Sequence, residues 1–296
     1  MTNTSTLEDT LITTEVDLPL GPTGRPRREF PVPPELRGHG PARVIALCNQ
    51  KGGVGKTTTT VNLGAALATY GRRVLLIDFD PQGALSANLK VETDDVSTIY
   101  ELLLGSERDP QVAIQQTQIP GLDIIPANID LSAAEVHLVN EVAREHTLAR
   151  VLRRVSDRYD VILIDCQPSL GLLTVNALSA ADGVLVPLEC EYFALRGVAL
   201  LLQTIEKVHD RLNDKLELAG ILATMHDGRT LHGRQVLERV VEAFPEQVFH
   251  TVISRTVRFP ETTAAGEPIT SYASSSVGAG AYRALARELL ARWPAR

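Results

Sequence analysis

A chain of 296 residues, 44% apolar and 22% charged, has the composition of an ordinary globular protein and the length for one large domain with a sizeable core. Its net charge of −7 excludes a polyanion binder by overall composition, so any nucleic-acid contact must come from a local basic patch. There is no run near the roughly 18 apolar residues of a membrane span and no signal-peptide apolar core, so the expected compartment is the cytoplasm. The scattered cysteines, Cys48, Cys166 and Cys190, lack metal-binding spacing and read as small buried thiols.

Residues 1–41 are rich in Thr, Pro, Gly and charge, without a sustained apolar period, and read as a mobile tail. The basic run Gly24–Arg28 within it reads as a solvated stretch, with contact to DNA or a partner as the alternative. Residues 42–296 read as one domain. Apolar runs at 43–48, 72–78, 121–127, 159–166, 183–189, 216–224 and 247–253 are expected strands. Helical patterns fall between most of them, including 57–71 closed by Gly71, one long stretch over 131–155, and 194–212. Continuous apolar strands alternating with helices predict an α/β fold, a largely parallel sheet sandwiched by helices.

Between the first strand and the first helix runs NQKGGVGKTTTT, residues 49–60. A glycine-rich turn in that position cradles phosphates with backbone N–H groups at a helix N-terminus. Gly52, Gly53, Val54, Gly55, Lys56, Thr57 and Thr58 form the expected cradle, with Lys56 reaching the β- and γ-phosphates of a nucleotide and Thr57 ligating Mg²⁺. Two later strands end in acids, Asp78 with Asp80, and Asp165. Ligands of open α/β sheets lie beyond the carboxyl ends of the strands, so these acids converge on the same rim. Asp165 suits the holding of a Mg²⁺-bound water, and one of Asp78 and Asp80 the orientation of an attacking water. Lys51 is a second lysine that a phosphate loop alone does not need.

The segments KGGVGKTTT, LLIDFDPQG, IDCQPSLG, ECEYFALRG and MHDGRT together resemble the ParA/Soj group of deviant Walker-type ATPases, in that family's order, from about Arg43 to Trp293. The resemblance implies a slow, partner-stimulated ATP hydrolase using ATP and Mg²⁺. It gives Lys51 a role across the interface of an ATP-sandwich homodimer, on the partner's phosphates. Asp80 becomes the acid for hydrolysis, Asp78 its support, and Thr57, Asp80 and Asp165 the residues around the metal. Ser254, Arg255 and Thr256 fall on the family's adenine-contacting stretch, with Ser254 and Thr256 in place of the usual Pro and Asn, and Gln167 replaces a common proline.

The family binds DNA nonspecifically in its ATP state and is released by a ParB-type partner, which implies a nucleoid-associated protein acting in chromosome or plasmid partitioning. From His226 to Arg296 there are nine arginines and no lysines against seven acids, and Arg229, Arg234, Arg255, Arg258, Arg283, Arg287 and Arg292 are the candidate phosphate contacts. Where relatives often carry a basic residue facing DNA, this chain has Glu206 followed by Lys207. Tyr282, Leu285, Ala286, Leu289, Leu290 and Trp293 form an apolar stripe on the last helix, with Glu288 on its polar flank. A MinD-like membrane-cycling ATPase, the alternative function, would turn such a stripe to lipid. The expected role is packing against the domain, without membrane association.

Overall fold

The computed structural model describes residues 19–191 and 194–293. Its sheet comprises β1 (Arg43–Leu47), β2 (Val74–Phe79), β3 (Gln115–Gln116), β4 (Leu122–Ile125), β5 (Val161–Cys166), β6 (Gly183–Glu189) and β7 (Glu217–Thr224), in the order β3-β4-β2-β5-β1-β6-β7. Every pairing is parallel except that of the short β3 with β4. Each residue of β2 and β5 is buried, as expected of strands covered on both faces. Along β1 and the residue after it the side chains alternate, Val44, Ala46 and Cys48 entering one core layer and Ile45 and Leu47 the other. Helices Leu172–Ala180 and Ala194–Arg211 contribute to the first layer, and helices Lys56–Thr69 and Val277–Arg292 to the second. β1 lies between β5 and β6, so the chain departs to opposite sides of it, which opens a crevice at its carboxyl end.

The last helix packs inward. Tyr282, Leu285, Ala286 and Leu289 are buried in the second layer, each leucine stabilising the contact by about 1.5–3 kcal/mol. Trp293 closes the helix over β6, where a Cβ on Gly183 would stand 1.7 Å from the indole, so only glycine fits beneath it. Arg43 stacks on the indole, 5.4 Å from the ring centre. Glu288 is buried rather than on a polar flank. It accepts from the amides of His250 and Thr251 at 2.7 and 2.9 Å and from Arg292 at 2.8 Å.

That carboxylate also explains why 247–253 is not a regular strand. The segment meets β7 intermittently, through an isolated bridge of Ile221 with Val248 and a bond from Ile253 N to Ala223 O at 2.9 Å, because the amides of His250 and Thr251 in between are drawn to Glu288. The expected helix over 131–155 is likewise broken, into helices Leu131–His137 and Thr147–Leu152 with short 3₁₀ turns between. Ala143 takes a left-handed φ of 53° there. The buried Asn176 holds the freed backbone, accepting from Leu148 N at 3.2 Å and donating to Arg144 O at 2.9 Å.

Residues 19–41, read from the sequence as part of a mobile tail, run along the domain. Arg25 donates to the carbonyls of Pro245, Val248 and Phe249 at 2.7–2.9 Å, and Arg72 donates to Pro34 O at 2.9 Å. Asp160 accepts from Gly40 N at 3.0 Å, and His39 Nδ1 lies 2.8 Å from the same carboxylate. Residues 1–18 lie outside the described residues. All three cysteines are buried and free, with Cys48 and Cys166 brought to 3.1 Å between their sulfurs.

Candidate functional site

The chain leaves β1 through a loop that turns into helix Lys56–Thr69. Gly53 and Gly55 sit at φ +74° and +86°, conformations that strain any other residue. Gly52 and Gly53 are exposed, with open space where a side chain would start. The loop is tied down by its neighbours: Asn49 donates to Pro187 O of β6 at 2.7 Å and accepts from Lys51 N at 2.9 Å. Thr224, the last residue of β7, donates to the carbonyl of the buried Val54 at 2.9 Å.

The two lysines go to different places. Lys56 is buried, and its ammonium reaches back across the loop to Lys51 O at 3.3 Å. Lys51 is exposed and held by acids at the end of β6. Its Nζ lies 3.0 Å from Glu189 and also bonds Glu191, while Arg255 holds the other oxygen of Glu189 at 2.9 Å. The bond to Glu191 raises the Lys51 pKa and lowers that of Glu191.

Asp78 and Asp165 are register partners at the ends of β2 and β5. Asp165 is buried and accepts from Thr57 Oγ1 at 2.6 Å and Thr60 Oγ1 at 3.3 Å. Burial, then the neighbouring charge of Asp78, pushes its pKa up to about 7, against the opposing pull of Thr57 and Lys56. Asp78 accepts from Ser86 through both its amide, at 2.8 Å, and its hydroxyl, at 2.7 Å. Burial lifts its pKa to about 6. It therefore braces the loop after β2. Asp80, half-buried on that loop, accepts from Gln82 N at 3.0 Å, a turn that leaves carboxylate capacity for a further donor.

The residues fit a magnesium nucleotide. Thr57 and Asp165 already meet through a hydrogen bond, and no cluster of three His, Cys, Asp or Glu stands ready for a metal among the described residues. That suits Mg²⁺, which keeps several waters and takes one or two protein oxygens beside phosphates. Next to the loop is a pocket of about 300 Å³ whose lining includes Thr58, Met225, Ser254, Thr256, Phe259 and Tyr282. A larger cavity, about 550 Å³, lies between residues 102–110 and 137–154. It has neither the glycine loop nor its acids, so the chemistry selects the smaller one.

The candidate DNA contacts do not form one free row. Arg229 pairs with Asp227, Arg255 with Glu189 and Arg258 with Glu261. Arg234 and Arg283 donate to the carbonyls of Gly228 and Ser274, and Arg292 is tied to Glu288. The Arg287 Nε is buried without a hydrogen-bond partner among the described residues. Gln167, the departure from a common proline, donates to Glu135 at 3.3 Å. Sequence reasoning missed Ser86, Thr60, Glu189 and Glu191. The last two were within reach, since β6 ends in acids at the rim just as β2 and β5 do.

A largely parallel sheet with a glycine loop at its switch point, a Lys-Thr step at the helix start and acids on the neighbouring strands defines a P-loop nucleotide-binding protein. A family model described as AAA domain matches residues 42–218. The sporulation initiation inhibitor protein Soj of Bacillus subtilis is 49% identical over 84% of this chain and 98% of its own length. An uncharacterized protein of Mycobacterium tuberculosis is 61% identical over 93% of this chain and 86% of its own, a match that extends into the segment before β1. Among solved structures, one called cobyrinic acid a,c-diamide synthase from Mycobacterium smegmatis, with bound ADP and magnesium, is 43% identical, with a TM-score of 0.75 over 85% of this chain and 95% of that one. The cell division ATPase MinD of Pyrococcus furiosus is 29% identical, with a TM-score of 0.70 over 84% and 98%. The chain belongs to the ParA/Soj family of chromosome-partitioning P-loop ATPases.

Proposed function

We propose that the protein is a Mg²⁺-ATP-dependent switch that closes into an ATP-sandwich homodimer, binds double-stranded DNA nonspecifically, and partitions a chromosome or plasmid with a ParB-type partner that stimulates hydrolysis. The observation that carries this reading is the separation of the two lysines. Lys56 lies over its own loop, whereas Lys51 is held 3.0 Å from Glu189, off the cradle. An exposed ammonium at the edge of a nucleotide site is suited to a second protomer's phosphates, where it stabilises transition-state charge only after assembly.

In hydrolysis, a water attacks the γ-phosphorus, the bond to the β–γ bridging oxygen breaks, and ADP and phosphate leave. When bound, Mg²⁺ would supply positive charge that offsets the charge of the phosphates. Thr57 and Asp165 would hold it, Lys56 orients the phosphates, and Asp80 accepts a hydrogen from the attacking water. The pocket beside Thr58 takes the adenine, with Phe259 supplying an aromatic wall and Ser254 and Thr256 the polar contacts. The buried stripe of helix Val277–Arg292 leaves the membrane-cycling alternative without an apolar face there. Among the described residues no helix is long and apolar enough to cross a membrane.

The test is Lys51→Ala in light scattering with Mg²⁺ and a non-hydrolysable ATP analogue. Nucleotide binding is retained and the nucleotide-dependent dimer is lost. An unchanged dimer refutes the assignment.

A further inference from the structure

The segment before β1 brings arginines to a place the P-loop domain alone would leave bare. A turn, closed by Gly21 N to Arg25 O at 2.8 Å and by the bridge of Leu20 with Pro26, presents Arg27 and Arg28 outward. Arg25 is spent on anchoring this turn to three carbonyls of residues 245–249. Arg27 and Arg28 are exposed and in no ion pair among the described residues. The Arg28 guanidinium stands 5.3 Å from the Phe30 ring centre, which leaves its N–H fork free at the edge.

Two adjoining cavities of about 650 and 450 Å³ share Arg27, Arg28, Phe30 and His250 in their lining, the second reaching Arg287 on the last helix. Together their walls carry five arginines against two glutamates, in a chain whose net charge is −7. Arg25 and Arg292 are committed to carbonyls and Glu288, while Arg27, Arg28 and Arg287 are in no salt bridge among the described residues. Arg287 adds a buried Nε with no hydrogen-bond partner among the described residues. The positive field is felt by His250, whose pKa is lowered by burial and by Arg25, Arg292 and Arg28, against the opposing pull of Glu288.

We infer that this groove is a phosphate-binding track for the duplex DNA backbone, with Arg27, Arg28 and Arg287 as its contacts. The inference rests on the DNA-binding reading above and assigns it a surface outside the arginines paired with acids. Guanidinium forks match phosphate oxygens two at a time. A double groove, whose free chemistry is arginine rather than a large apolar anchor, suits a repeating polyanion better than a protein epitope.

The test uses the full chain with Mg²⁺ and a non-hydrolysable ATP analogue, titrated into a fluorescent 30-bp duplex across a salt series. Each phosphate contact contributes about 0.9 to the slope of log affinity against log salt. The R27Q/R28Q/R287Q variant therefore loses about 2–3 from that slope and at least tenfold in affinity at the low end of the series, with its melting temperature unchanged. R27K/R28K/R287K keeps most of the slope. If the Gln variant binds as the wild type does, the groove is refuted while DNA binding stands. If the wild type binds no duplex in any nucleotide state, both are refuted. Selective loss of binding to phosphatidylglycerol vesicles or to an acidic protein, with DNA affinity intact, overturns the assignment in favour of that ligand.

Discussion

Glu191→Gln is the substitution that best tests how Lys51 is controlled. In the monomer the Lys51 ammonium sits between Glu189 and Glu191, its side chain 48% exposed and that of Glu191 56% exposed. To reach a partner's phosphates it must leave both. Pairs this exposed contribute about 0.2–1 kcal/mol after solvent screening. Removing Glu191 alone therefore lowers the cost of release by about 0.5 kcal/mol per protomer. A symmetric dimer releases two lysines, so the gain is about 1 kcal/mol, or roughly fivefold in the dimerisation constant. Sedimentation equilibrium with Mg²⁺ and a non-hydrolysable ATP analogue measures it. Nucleotide affinity should not change, because Lys56 and the glycine loop are untouched. Glu189→Gln is a poorer probe, since it also frees Arg255. A dimer that is unchanged or weaker in Glu191→Gln refutes the latch, and a weaker one indicates that Glu191 works across the interface instead.

Asp80→Ala should retain nucleotide and dimer but abolish phosphate release in a single-turnover assay, and normal turnover removes Asp80 from the mechanism. Asp78 and Asp165 have folded pKa values of about 6 and 7, raised from 3.8 by burial. The stability this confers is fully present below about pH 3.8 and is lost progressively as pH rises from there through 6–7. Mg²⁺-ATP favours the ionised Asp165, so its binding near pH 6.5 should release protons, seen by calorimetry in buffers of different ionisation enthalpy; no proton release contradicts the buried, protonated pair. Gly183→Ala places a methyl 1.7 Å from Trp293 and should cost about 1–3 kcal/mol. That lowers the thermal midpoint by several degrees, and an unchanged melt would mean that Trp293 is not held there.

What was legible in the sequence was chemistry of short range. A glycine that must adopt a left-handed φ, a Lys-Thr step at a helix start and an acid ending an apolar strand each declare themselves within a few residues. The fold class followed from the same local signals, since a strand buried on both faces is an apolar run wherever it pairs. What was illegible depends on partners far along the chain. Lys51 is 138 residues from Glu189, and nothing near either residue reports the pairing. The apolar period continues through 131–155, so the break is invisible until Asn176 supplies the hydrogen bonds that make it tolerable. Arg25 is the sharpest case. In a stretch of prolines and glycines without periodicity, one guanidinium reaching carbonyls more than 200 residues away converts an apparent tail into a docked segment. Composition reports whether a segment can build its own core, and for residues 19–41 it reports correctly that it cannot. It is silent on whether a neighbouring core offers carbonyls with room for a further donor, and at residues 245–249 this one does.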